Sequence, residues 1–299
     1  MNQDTEGMRN AVQQPRPRVL DSHLHVWASE EESKTFPYNL SQKPTIPGNT
    51  DLLLQEMDVA GVDGALIVQP FDHKFDHSYV SSALKKHPNK FAGCLLADPT
   101  PGGGGTRELE RLVQEDGFSA VRFNPYLWPA GEQMTNDIGR AMFAKAGQLG
   151  APVGFMCFKG LHLHIDDIEA LCRDFPETKV LLDHFAFTNP QRSEQETTMW
   201  DRLLTLSQYP QVYVKLSAFF RVSKEEFPYR DTVPMIRQLA DAFGARRLLW
   251  GSDFPYVTQQ CGYTKNWQIL DETDVLNAEG LELVRGEALA ALFPSKWQR

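Results

Sequence analysis

The sequence predicts a parallel (β/α)8 barrel, and three observations carry that prediction. Eight short apolar runs recur along the chain, segments with helical periodicity lie between most of them, and no GxGxxG fingerprint follows the first run. Runs of four to eight near-continuously apolar residues suit strands buried on both faces, as in a parallel sheet flanked by helices. Alternation of such strands with helices over about 280 residues fits one barrel better than an open doubly wound sheet, which usually has fewer strands.

In chain order the runs are RVLDSHLHV (18–26), DGALIVQP (63–70), KFAGCLLADP (90–99), GFSAVRFNP (117–125), APVGFMCF (151–158), KVLLDHFAF (179–187), VYVKLSAFF (212–220) and RRLLWGSDFP (246–255). Helical patterns follow in TDLLLQEMDVAGV, SYVSSALKKHP, TRELERLVQEDG, IGRAMFAKAGQLG, IDDIEALCRDFP and VPMIRQLADAFG, with AEGLELVRGEALAALF as a last helix. Asp51 and Thr106 suit helix starts, and Gly61, Gly117, Gly150 and Gly244 suit helix ends. The glycine run PGGGGT (101–106) lacks a GK[ST] ending and reads as a turn before a helix. Residues 1–17 are polar and proline-bearing, expected as a loose arm, and 18–299 as a single barrel domain.

Composition bounds the function. The chain of 299 residues is 41% hydrophobic and 23% charged, enough apolar material for a large core. A net charge of −9 with no cluster of Lys and Arg argues against nucleic acid or an acidic membrane as partner. No run approaches the roughly 20 apolar residues of a membrane span. The start of the chain lacks an apolar signal core, and the four cysteines form no CxxC, so a cytoplasmic protein with reduced thiols is expected. The partner is expected to be a small-molecule substrate; whether the chain forms a homo-oligomer stays open.

In a barrel of this kind, chemistry sits at the C-terminal ends of the strands. There Asp21, His23 and His25 share alternation parity on the first strand, as do Arg122 and Asn124 on the fourth. The sixth run places Leu182 with His184, and the eighth Leu249, Gly251 and Asp253. A lone core histidine is usually structural, and a lone Asp after a strand is usually a turn residue or cap. Buried polar groups without partners cost about 1–3 kcal/mol each, so four strands ending in such groups point to a site.

Other polar residues read less sharply. Arg122 is either a clamp on a substrate carboxylate or a buried partner of a carboxylate such as Asp98. His73 and His77 read as solvated loop residues with substrate contact as the alternative, and His87 as surface. A second HxH, His162 and His164, enters a helix where i,i+2 residues do not share a face, although His164 can still lend an imidazole to the substrate. Asp183, of opposite parity to His184, reads as structural. Lys215 can point either way, and Trp250 and Phe254 should pack under the outer helices.

DSHLHVW, LLDHF and WGSDFP, in that order, resemble the amidohydrolase superfamily, in its amidohydrolase-related branch of lactonases and some decarboxylases. AVRFNP resembles the fourth-strand motif of its lactonases, in which the Arg contacts substrate. The resemblance implies a (β/α)8 hydrolase in which His23, His25 and Asp253 match metal-ligand or water-activating positions. His184 matches the proton-transfer histidine or a fourth ligand, and Arg122, Asn124 and His164 would meet substrate. It also implies one divalent metal ion such as zinc, although a metal-free mode with Asp253 as base is known in that branch. The fifth run offers Met156 or Cys157 where metal-binding members carry a His, and the fourth has no Lys, so a binuclear site is not expected. The implied reaction is lactone hydrolysis; decarboxylation on the same site and a non-catalytic ligand-binding barrel are the alternatives.

Overall fold

The computed structural model describes residues 16–39 and 43–298. Among them eight strands form one parallel sheet in sequential order: β1 Leu20–Leu24, β2 Gly64–Val68, β3 Phe91–Leu96, β4 Phe118–Phe123, β5 Val153–Phe155, β6 Val180–Leu182, β7 Val212–Ser217 and β8 Leu248–Gly251. Each lies inside one of the eight apolar runs. The ends of the sheet meet: the Asp253 amide donates to the His23 carbonyl at 2.8 Å and the His25 amide to the Phe254 carbonyl at 2.7 Å. The (β/α)8 barrel is therefore the observed fold.

The helices are α1 Thr50–Ala60, α2 Ser78–Lys86, α3 Gly105–Gln114, α4 Asp137–Gln148, α5 Ile165–Asp174, α6 Glu194–Thr205, α7 Phe219–Val222, α8 Val233–Phe243, α9 Tyr263–Gln268, α10 Ala278–Glu282 and α11 Ala288–Leu292. No sequence pattern singled out α6; its start is fixed by Ser193, whose hydroxyl accepts from the Glu196 amide at 3.2 Å. The last expected helix is one rod in which a π-turn at Leu283–Glu287 joins α10 to α11. Within that turn Gly286 leaves no room for a Cβ, which would sit 2.6 Å from the Arg18 carbonyl.

Two apolar layers hold the barrel. Inside, Leu20, Leu66, Val68, Ala92, Cys94, Ala120, Leu181 and Leu249 fill the lumen, and Leu289, Leu292 and Phe293 plug its lower end. Each fully buried Leu or Phe contributes about 1.5–3 kcal/mol over its exposed state. Outside, alternate strand residues pack under the helices, Trp250 and Phe254 among them as expected. The filled lumen forces the polar residues upward, to the C-terminal strand ends. All four cysteines are free. The expected loose arm falls almost wholly outside the described residues. No described helix is long and apolar enough to cross a membrane.

Candidate active site

Alternation alone does not bring the histidines together. On β1 the pairing register shifts between Asp21 and Leu24, a bulge that breaks the period of two. Leu20 faces the lumen, yet Leu24 packs in the outer layer. The expected shared face of Asp21 with His23 and His25 is thus corrected. Asp21 accepts from the Ser252 amide at 3.0 Å and from the Tyr263 hydroxyl at 2.9 Å, tying β1 to β8 and α9. Beyond the bulge, His23 and His25 meet, Nε2 to Nε2, at 3.3 Å.

The expected face of β6 is also corrected. Leu181 lies in the lumen and Leu182 in the outer layer, so Asp183, not His184, inherits the inward parity. His184 enters differently. It opens a run of four left-handed residues, His184 to Phe187, with φ between 52° and 58°. Such non-glycine conformations are costly and persist only where packing imposes them. Here Phe185 and Ala186 are buried, with Phe185 packed on Phe219. The turn aims His184 Nε2 at Asp253 Oδ1, 3.9 Å away, while Nδ1 meets the Ser217 hydroxyl at 2.7 Å. Asp253 itself has φ 60°.

Asp253 is held from one side. Arg221 donates from Nε to Asp253 Oδ2 at 2.7 Å, leaving Oδ1 at 3.6 Å from His25 Nε2 and 4.0 Å from His23 Nε2. Asp183 is the second hub: Oδ1 meets His23 Nδ1 at 3.1 Å and Lys215 Nζ at 3.0 Å, and Oδ2 accepts from Arg122 Nη2 at 3.0 Å. Burial alone would raise Asp183, but Lys215, His23 and Arg122 together hold it well below the usual carboxylate range. Burial pushes Asp253 up to about 6, against the pull of Arg221. Burial lowers all three imidazoles, His23 to about 3 and His25 and His184 well below 6.5. Burial thus favours their neutral form, the form that binds a metal ion.

The donor set fits one metal ion. His23, His25 and Asp253 offer ligand atoms all within 4.8 Å of one another. Tetrahedral ligands at about 2.0–2.2 Å from one zinc ion stand roughly 3.3–3.6 Å apart, close to the spacings here. The His25 Nδ1–H donates to the Val68 carbonyl at 2.8 Å, which turns its Nε2 lone pair toward the other ligands.

The residues expected to meet substrate each have a protein partner. Arg122 is paired inward with Asp183, not with Asp98 and not open to the mouth. The Asn124 carboxamide oxygen accepts from the Tyr126 amide and so caps the turn after β4. His164 Nε2 lies 3.4 Å from the Tyr126 hydroxyl. His73 and His77 are buried rather than solvated; His77 Nε2 accepts from the Leu96 amide at 3.0 Å. Asp183 and Lys215 belong to the cluster although the sequence left them aside. A lysine inside the apolar run VYVKLS was the available signal for Lys215; Arg221, in the one-turn helix α7 beyond β7, had none.

Above the cluster lies a cavity of about 480 Å³ whose walls include Phe158, Phe187, Phe220, Tyr256, Arg192 and Arg221. The Arg221 guanidinium stacks 4.6 Å over the Tyr256 ring. Three cations, Arg122, Lys215 and Arg221, face two carboxylates, Asp183 and Asp253. The surplus positive charge suits an anionic ligand.

Comparison with known proteins agrees with this picture. The sequence pattern of the amidohydrolase family matches residues 20–288. The chain is 26% identical over 261 residues to the 4-sulfomuconolactone hydrolase of Rhizobium radiobacter, covering 86% of this chain and 81% of that protein. It is 24% identical over 245 residues to the 4-sulfomuconolactone hydrolase of Hydrogenophaga intermedia, covering 80% and 75%. Among solved structures, an amidohydrolase from Burkholderia multivorans with bound zinc superposes with a TM-score of 0.72 at 17% identity, covering 93% of this chain and 99% of that one.

Proposed function

This chain belongs to the amidohydrolase family, and we propose that it is a lactone hydrolase acting on a small anionic substrate, with one divalent metal ion held by His23, His25 and Asp253. The observation that carries the reading is the convergence of these three ligand groups and His184 at the upper end of the barrel. Two relatives named for hydrolysis of a lactone bearing a sulfo group support the substrate class. Zinc in a structural neighbour supports the choice of metal.

When bound, the ion would supply an acidified water and polarise the lactone carbonyl. Asp253 Oδ1, the oxygen that Arg221 leaves free, takes the proton of the attacking water. Water oxygen bonds to the carbonyl carbon, the ring C–O bond breaks, and a hydroxy acid results. Asp253 then hands that proton to the departing ring oxygen, while neutral His184, whose Nδ1 accepts from the Ser217 hydroxyl and so keeps its proton on Nε2, donates a hydrogen bond to the developing oxyanion. Arg221 and Arg192 attract the anionic substituent, and the aromatic walls shed water as substrate enters. In this arrangement Arg122 acts through Asp183 rather than on substrate.

The test is a panel of anionic lactones assayed for acid release and for CO2. Ring opening without CO2 supports the proposal, CO2 release identifies a decarboxylase, and neither identifies a ligand-binding barrel.

A further inference from the structure

His23 Nδ1 has two neighbours that demand opposite things of it. The Asp183 Oδ1 acceptor is 3.1 Å away and the Lys215 ammonium donor is 3.2 Å away, with Lys215 and Asp183 themselves 3.0 Å apart. A proton on Nδ1 satisfies Asp183 and points at the ammonium; a lone pair on Nδ1 satisfies Lys215 and faces the carboxylate. The far side of the ring decides between them. His25 carries its proton on Nδ1, donated to the Val68 carbonyl, so its Nε2 is a lone pair. With His23 Nε2 only 3.3 Å from that lone pair, a metal-free pocket needs the His23 proton on Nε2. Lys215 then fills the Nδ1 lone pair.

We propose that Lys215 and Asp183 are opposed positioning residues that tune metal affinity through the tautomer of His23. Lys215 stabilises the Nε2–H form of the empty pocket, and Asp183 the Nδ1–H form that frees Nε2 for a cation. On loading, His23 stays neutral: one N–H bond is lost at Nε2 and one gained at Nδ1, with solvent water carrying the proton. Lys215 also sets a positive charge, buried to 1% exposure, on the ring of a metal ligand. Both effects make Lys215 a brake on metal binding, whereas a carboxylate that accepts from a ligating imidazole usually raises affinity 10–100-fold. This inference rests on the reading of His23, His25 and Asp253 as a metal site.

The experiment measures zinc affinity of the metal-free full chain by competition with a chromophoric chelator, for wild type, Lys215→Met and Asp183→Asn. Lys215→Met should bind zinc about tenfold or more tightly than wild type, and Asp183→Asn about tenfold or more weakly. Long-range 15N–1H spectra of wild type should show His23 protonated at Nε2 without zinc and at Nδ1 with it, a readout independent of how the variants fold. Zinc binding by wild type with Lys215→Met no tighter, or Nδ1–H already present in the metal-free protein, would overturn this inference alone. A wild type that takes up no zinc would overturn the metal reading together with it.

Discussion

Arg221 Nε lies 2.7 Å from Asp253 Oδ2, and this one contact divides the carboxylate into a tethered oxygen and a working one. Oδ1 is thereby turned to all three imidazoles, at 3.6–4.0 Å. The divided carboxylate is what a general base beside a metal ligand set requires: fixed direction with an open lone pair.

Asp253→Asn keeps the shape and removes the base. Its kcat/KM should fall about 10³-fold, within the range of a lost acid–base group. Circular dichroism and the thermal midpoint should stay near wild type. Wild-type turnover in this variant would remove Asp253 from the mechanism.

Tyr256 supports the Arg221 guanidinium at 4.6 Å and stacks edge-on to Trp27. Tyr256→Ala should raise KM for an anionic lactone about tenfold while kcat changes only a few-fold, since the side chain acts on binding at the mouth. Steady-state kinetics separates the two. An equal fall in kcat with KM unchanged would place Tyr256 in the chemical step instead.

The closure of β8 onto β1 depends on Gly251. A Cβ there would stand 3.0 Å from the His23 Cβ, the His23 amide and the Ser22 hydroxyl. Gly251→Ala should cost about 1–3 kcal/mol in denaturant unfolding and lower activity by displacing His23. Unchanged stability and unchanged activity together would show that the two strands part without consequence.

His77 provides a pH signature away from the catalytic cluster. Burial depresses it to about 4, below the 6.5 of the unfolded chain, so its neutral form is what the fold holds. Its contribution to stability is complete above about pH 6.5 and is lost as pH falls towards 4, because the unfolded chain binds the proton first. The shift corresponds to about 3 kcal/mol. Urea titrations should show a smaller loss between pH 7 and pH 4.5 for His77→Gln than for wild type; equal losses would assign the acid sensitivity to other groups.

The barrel was legible because a parallel sheet buried on both faces leaves continuous apolar runs, and every strand from Leu20 to Gly251 left one. His23, His25, His184 and Asp253 at strand ends were legible because polar residues have no packing reason to be there. What escaped the sequence were departures from alternation. The β1 bulge moved Asp21 off the face of His23, and the left-handed run from His184 to Phe187 let Asp183 and His184 both reach the site. Arg221 was invisible because α7 is a single turn, and the direction in which it leaves β7 is encoded by no periodicity. Arg122 reads from the sequence as a clamp on substrate or a partner of a carboxylate such as Asp98; the carboxylate beside it is Asp183, which alternation puts on the opposite face.

The most direct test follows anionic five- and six-membered lactones by pH-stat, with CO2 analysis, on zinc-loaded wild-type protein. The account predicts one equivalent of acid per lactone opened, no CO2, and loss of the activity when a chelator strips the metal. Release of CO2, or no turnover on any lactone by protein shown to contain its metal, would contradict it.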